Sequence, residues 1–478
     1  MAGGPTVGLD IGTKQIKAVE VRRGNNGVQV TAIGVAPTPQ EAFENNVIVD
    51  AQALGQAIKE LLRQSGISSR QCVSSVSGQS VVVRVIDVPR MSYAELAETM
   101  KWEVDRQAPF PADQVIMDFQ PIERPDMPAD AQNMEVLLAI AQQDMIDRHI
   151  DMLFAAGLKP VAIDVEPLAA GRCLLELGNG ANPPGHTVAI VNLGASNTDI
   201  GIWRDKLLSF PRTLPLAGDH LTHAIANALQ VDLGTAEEYK RTHGEVLLDQ
   251  MQAPPPPDFG TAAPGDFGGF VDFTAPPAPT AGPTTTPSRV PFDFTTATEA
   301  PSPTEPNPFD VGAMPATPFD QPAAPTAQPG ADTGFVMPEF GAAPPPANLP
   351  APVPSSSTGE SALDTLRTQI FNAMAPVLVD LVAELRRSLD YYRGKTGDAP
   401  IHEILLTGGT AKLKNLAPYL ERELGIPTRV ADPLHTIQIT SRNFSQGHLE
   451  EIASLFPVSI GLGAYNLVSA PAAVGKKR

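Results

Sequence analysis

Three apolar runs near the start of the chain, residues 6–11, 15–21 and 28–35, are separated by tight turns and read as strands. Leu54, Ile58, Leu61 and Leu62 recur at helical spacing and predict a helix over 51–65. Residues 81–88 (VVVRVIDV) are a β-branched strand ended by Pro89. The stretch 92–107 places Leu96, Met100 and Val104 on one face, and Ser92 followed by Glu95 fits a capping box. A strand is expected over 135–141, then a helix over 143–156 stopped by Gly157. Residues 161–165 read as a strand feeding a helix at Pro167, a favoured first helical position. A second strand–turn–strand follows, 187–193 and 198–203 around Gly194–Asn197, with helices over 219–230 and 234–241. Further on come a long amphipathic helix, 361–393, and an apolar strand, 404–407, that meets Gly408-Gly409. The remainder is mixed α/β and ends in GKKR.

Between the two halves of this pattern the periodicity stops. Of the 49 prolines in 478 residues, 27 fall within 252–358, and so proline-rich a tract forms no regular ladders and buries little apolar area. It is therefore expected to be a disordered insertion. Phe-Asp and Asp-Phe pairs recur in it, from Asp258-Phe259 to Phe319-Asp320, as either a drifting spacer or a row of short docking motifs. The full length of 478 residues suggests two to four folding units.

The net charge of -19 argues against a nucleic-acid backbone groove, which needs clustered Lys and Arg, but not against a nucleotide, which needs only local donors. Cys72 and Cys173 lie far apart, which points away from a disulfide framework or zinc site and toward a reducing compartment. Neither a secretory signal nor a run of about 18 apolar residues is legible. The chain thus reads as soluble and cytoplasmic, reaching a membrane only through a partner.

The most informative feature is a motif that occurs twice. Gly8-Leu9-Asp10-Ile11-Gly12-Thr13 leads into Ile16-Lys17-Ala18-Val19, and Val191-Asn192-Leu193-Gly194-Ala195-Ser196-Asn197-Thr198 leads into Ile200-Gly201-Ile202. Each is an apolar strand, a polar residue, a glycine-containing turn and an outgoing strand. Glycine lets backbone approach a ligand, and successive turn amides can form an anion nest. A strand-end carboxylate such as Asp10 can hold a hydrated magnesium ion, and Lys17 can reach a β- or γ-phosphate. Two such hairpins facing each other would clamp a triphosphate. Glu166, at a strand-to-helix junction, is either a helix-dipole partner or the group that orders an attacking water. Thr407-Gly408-Gly409-Thr410 is either a nucleoside-contacting turn or a plain β-to-α loop.

These residues resemble the superfamily of actin, the heat-shock chaperone ATPases, the sugar kinases and FtsA. Leu216-Ala217-Gly218-Asp219-His220-Leu221-Thr222 is similar to actin's LAGRDLT, and Glu237-Glu238-Tyr239-Lys240-Arg241-Thr242 to the chaperones' ERAKRT. Val165-Glu166-Pro167 resembles their NEP, and Gly408-Gly409-Thr410 the adenosine turn. Within the superfamily, Pro89-Arg90-Met91, Lys101-Trp102-Glu103, Ala108-Pro109-Phe110-Pro111, Met117-Asp118-Phe119 and Arg387-Ser388-Leu389-Asp390-Tyr391-Tyr392 resemble the PilM family of type IV pilus assembly ATPases.

The resemblance implies an α/β, actin-like two-lobe ATPase fold with an inserted subdomain in the first lobe and the proline-rich insertion in the second. The lobes would comprise 1–88 with 161–186, and 187–251 with 359–470; the inserted subdomain would be 89–160, the insertion 252–358 and the tail 471–478. It implies ATP and Mg2+ as cofactors. Asp10 and Glu166 would be catalytic, and Asp10 and Asn192 would hold magnesium through water. Gly12, Thr13, Lys17, Gly194, Ala195, Ser196, Gly218, Glu237, Lys240, Arg241, Gly408, Gly409 and Thr410 would contact nucleotide. The implied partner is the N-terminal cytoplasmic segment of a PilN-type inner-membrane protein, seated in a groove formed by 89–160, with the pilus motor ATPases and a second copy as further contacts. One departure stands out. The middle hairpin carries Asn192 where the family has Asp, and an amide is a weaker metal ligand and no base. ATP binding with weak hydrolysis is the resulting expectation. An FtsA-like division protein and an active ATPase or small-molecule kinase are the rivals.

Overall fold

The computed structural model describes residues 4–251 and 357–468, apart from 25–26, 45, 79, 126–127, 129–130, 178–182, 436 and 441–445. The chain divides into two units, 1–276 with 356–478, and 277–355. Expectations for 252–356 and for the tail 471–478 lie outside the described residues.

The first unit opens with β1 (Thr6–Ile11), β2 (Gln15–Gly24), β3 (Gly27–Pro37), the two-residue strands β4 (Phe43–Glu44) and β5 (Val47–Ile48), α1 (Ala51–Gln64) and β6 (Gln71–Val76). Then come β7 (Val81–Pro89), α2 (Tyr93–Gln107), β8 (Val115–Ile122), β9 (Asn133–Gln142), α3 (Gln143–Ala155), β10 (Lys159–Val165) and α4 (Glu166–Gly171). The second half holds β11 (Thr187–Leu193), β12 (Thr198–Arg204), β13 (Leu207–Leu214), α5 (Gly218–Leu229), α6 (Leu233–His243), α7 (Ser357–Lys395) and β14 (Glu403–Thr407). It closes with α8 (Leu416–Leu424), β15 (Thr428–Val430), β16 (Gln438–Ile439), α9 (Gln446–Ile452) and α10 (Pro457–Gly463).

One topology is used twice. The first sheet runs β10-β6-β1-β2-β3-β16 and the second β13-β12-β11-β14-β15. In both, three antiparallel strands (β1–β3, β11–β13) continue into two parallel ones (β6 and β10, β14 and β15). The repeat places the β1–β2 and β11–β12 hairpins at equivalent points of the two lobes.

Three of the longer strands escape the periodicity argument, each for a physical reason. β6 (QCVSSV) is a central strand whose serines break the apolar run; Ser74 is fully buried and offsets the cost by donating to Leu9 O at 2.8 Å. β13 contains Pro211, which a central strand would not tolerate, and it lies at the sheet edge. β8 contains Pro121 and is likewise the edge of a three-stranded sheet, β7-β9-β8.

That small sheet is the inserted subdomain, and its limits differ from the expected 89–160. All of β7 pairs with β9, from Val81↔Ala141 to Pro89↔Asn133, so the subdomain begins at Val81. α2 covers one face through Leu96, Met100 and Val104, packed on Val88, Val136, Leu138 and Ile140. Its capping box is present, with the Ser92 amide donating to Glu95 at 2.9 Å. α3, by contrast, packs Met152 and Leu153 against Leu54 and Ile58 of α1, and so belongs to the first lobe.

The lobes share a core. Ala169 and Ala170 of α4, Val188, Ile190, Trp203 and Leu405 of the second sheet, and Val458 and Leu462 of α10 form one buried cluster with Val73 of the first sheet. At the α4–α10 crossing, a Cβ on Gly461 would fall 1.8 Å from Ala169 O, so only glycine permits the approach. By length and apolar content the span Ala362–Lys395 of α7 could cross a bilayer. Its apolar face is instead taken up in the second lobe by Ile370, Phe371, Met374, Leu378, Leu385, Leu389 and Tyr392, all buried.

Candidate functional site

The repeat brings the two hairpins into contact. In each, a two-residue turn is closed by its flanking residues: Gly12 N donates to Gln15 O at 3.0 Å, and Gly194 N to Asn197 O at 3.0 Å. The Gly12 and Gly194 amides are therefore spent inside their own turns. Any anion contact from the backbone falls to the crest residues Thr13, Lys14, Ala195 and Ser196. The Thr13 and Ser196 hydroxyls lie 2.8 Å apart across the cleft.

Below the turns the registers match but the charges do not. Asp10 pairs with Lys17 across β1–β2, and Lys17 Nζ donates to Asp10 Oδ2 at 3.1 Å within the buried site. At the same register of β11–β12, Asn192 pairs with Asp199. Sequence reasoning passed over Asp199, which is 4% exposed. The repeat itself carried the signal, because Asp199 occupies in the second hairpin the position that Lys17 occupies in the first.

Glu166, the first residue of α4, lies between the hairpins. Ser77 Oγ donates to its Oε1 at 2.6 Å and Asn192 Nδ2 to its Oε2 at 3.0 Å, while Thr407 Oγ1 donates to Asn192 Oδ1 at 3.1 Å. Both ends of the Asn192 amide are thus engaged, its nitrogen by Glu166 and its oxygen by Thr407. Burial, with Asp199 and Asp10 nearby, pushes the Glu166 carboxyl well above the usual carboxylate range, against weaker opposing effects of Ser77 and Lys17. Burial also raises Asp199, with Asp10 adding to it, while Thr213 and Glu166 hydrogen bonds oppose the rise. The two buried carboxyls therefore titrate as a coupled pair, both raised above the ordinary carboxylate range.

The second cluster locks the start of α5 to the second hairpin. Gly218 N donates to Gly194 O at 3.1 Å, and Thr410 Oγ1 to the same oxygen at 2.9 Å. A Cβ on Gly218 would sit 2.4 Å from Thr410 Oγ1. Gly408, at φ +88°, has its own Cβ position 2.4 Å from Leu193 O. Lys240 Nζ donates to Gly218 O at 2.9 Å and to Thr222 Oγ1 at 2.7 Å, and pairs with Glu237 at 2.7 Å. Glu237 and Lys240 therefore bind each other and α5, whereas Arg241 and Gly409 are exposed.

The residues fit a magnesium-bound polyphosphate. Asp10, Glu166 and Asp199 supply the hard oxygen donors that magnesium and its waters prefer, and Lys17 supplies a cation. A Cβ on Gly12 would come within 3.4 Å of Lys17 Nζ, so glycine keeps the approach to that ammonium open. Among the described residues no three His, Cys, Asp or Glu side chains form a metal-holding cluster.

The duplicated sheets, the facing hairpins and the inserted subdomain define an actin-like ATPase fold. The family model for the type IV pilus assembly protein PilM matches residues 8–246, and the chain belongs to that family. The model for the cell division protein FtsA matches residues 189–448. A solved PilM–PilN type IV pilus biogenesis complex is similar over 97% of this chain and 98% of that one, at 25% identity and a TM-score of 0.65. FtsA of Bacillus subtilis is 23% identical over 265 residues, 51% of this chain and 59% of that protein. FtsA of Streptococcus pneumoniae is 25% identical over 259 residues, 50% of this chain and 55% of that protein. The chain thus spans less than two thirds of the length of these FtsA relatives.

Proposed function

We propose that the chain is an ATP-binding cytoplasmic scaffold of the type IV pilus machine. It binds the N-terminal cytoplasmic segment of a PilN-type inner-membrane protein, and nucleotide acts as a conformational latch with little or no hydrolysis. The observation that carries this reading is the state of Glu166. Ser77 and Asn192 donate to its two oxygens at 2.6 and 3.0 Å, so an attacking water meets a buried carboxyl whose oxygens are already engaged. Magnesium, when bound, would neutralise phosphate charge; Asp10 and Asp199 would hold its waters, and Lys17 would meet a phosphate oxygen. The likeness to the PilM–PilN complex supports the partner. So does the apolar surface of the inserted subdomain, where Trp102 is 73% exposed and Tyr93 stacks on Phe119 of the edge strand β8 at 5.3 Å. Single-turnover phosphate release is expected to stay at background in the wild type. A fast wild-type rate that disappears in Glu166→Ala would favour the enzyme reading instead.

The FtsA-family match over 189–448 favours a second reading, an FtsA-like division protein. Binding to a tubulin-like ring protein, in place of a PilN-type peptide, would support it.

A further inference from the structure

The two turns are closed on each other by a ring of four side chains. Thr13 meets Ser196 at 2.8 Å, and Ser196 Oγ donates to Asp219 Oδ2 at 3.3 Å. Lys14 Nζ, one residue beyond Thr13, lies 3.6 Å from Asp219 Oδ1. Each carboxylate oxygen of Asp219 is thus taken by a different jaw, Oδ2 by the second hairpin and Oδ1 by the first. The backbone fixes this placement, because Asp219 N donates to Ala195 O at 2.8 Å. Asp219 is therefore an internal anion held by the crests of the same two turns that would hold an external one.

We propose that Asp219 is an autoinhibitory clasp, displaced from Lys14 and Ser196 by a phosphate group of the bound nucleotide. The inference rests on the nucleotide-binding reading above. Two oxygens in hydrogen-bond contact leave no space for a phosphate between Thr13 and Ser196, so the turns must part before a polyphosphate can lie between them. A phosphate offers more charge and more acceptor oxygens than one carboxylate, and so outcompetes Asp219 for the same two donors. The clasp is also weak enough to open, since the Lys14 side chain is 61% exposed and pairs of that kind contribute little.

The test uses the full chain in two variants, Asp219→Asn, which keeps the shape, and Ser196→Ala, which leaves the charge unchanged. Without ligand, amide exchange over 11–15 and 194–198 is expected to accelerate in both, while that of Val7 and Leu9 in β1 stays as in the wild type. By calorimetry, Asp219→Asn is expected to bind MgATP more tightly than the wild type, by up to about fivefold. Unchanged exchange at the turns in both variants overturns the clasp and leaves nucleotide binding standing. So does MgATP affinity in Asp219→Asn that equals or falls below the wild type. Faster exchange in proteins that bind no MgATP would instead refute the nucleotide reading, and with it the displacement.

Discussion

Replacing Glu166 by glutamine removes a titrating carboxyl from the cleft while keeping the shape. The new side-chain oxygen can accept from Asn192 Nδ2, which lies 3.0 Å from the wild-type Oε2. The new amide nitrogen can donate to the Ser77 hydroxyl, which lies 2.6 Å from the wild-type Oε1. The wild-type carboxyl titrates above its unfolded value because it is buried near Asp199 and Asp10. Over the intervening pH range the folded protein therefore binds one proton that the unfolded chain does not. Its contribution to stability is complete below the ordinary glutamate value and is lost as pH rises through the raised one. One proton corresponds to a slope of about -1.4 kcal/mol per pH unit. Urea unfolding of the ligand-free chain between pH 5.5 and 8 is the assay. The wild type should lose stability toward pH 8 at up to that slope; Glu166→Gln should run flatter and cross above it. Parallel curves for the two proteins would refute the raised titration of Glu166.

Two further outcomes follow from the geometry. Gly408→Ala forces a left-handed alanine, costing roughly 1–2 kcal/mol, and drives its Cβ toward Leu193 O, so urea unfolding should show a loss of about 2 kcal/mol or more; unchanged stability would contradict the described turn. Trp102→Ala should leave stability within about 0.5 kcal/mol because the ring is exposed, yet weaken binding of a PilN-type N-terminal peptide by about fivefold or more, and equal peptide affinity would remove the inserted subdomain's exposed aromatic from the partner surface.

Sequence periodicity was enough for the elements whose burial is one-sided. α1 shows its stripe of Leu54, Ile58, Leu61 and Leu62, and the capping box at Ser92 and Glu95 forms as read. The doubled hairpin was legible because both copies keep a polar strand end and a glycine turn. Periodicity fails where a side chain's partner is remote in sequence. β6 looks polar until Ser74 is seen to bond Leu9, 65 residues away. α3 reads as part of the inserted subdomain until it packs on α1. At the site, Asn192 was visible as a departure from a carboxylate, but its use was not. Only the fold brings Glu166, Ser77 and Thr407 around it and Asp199 beside it. Glu237 and Lys240 illustrate the same limit, since a motif expected to contact nucleotide also holds α6 against α5.

In the proposed function the facing hairpins grip the phosphates of a nucleotide, with Asp10 and Lys17 at the centre. Calorimetric titration of MgATP into the full chain and into its Asp10→Asn variant tests it most directly, with thermal melting to verify that the variant is folded. Saturable binding by the wild type, weakened at least about tenfold in a folded Asp10→Asn, is the predicted result, the variant having lost one charge from the magnesium and lysine site. No binding by the wild type, or equal binding by both, would contradict it.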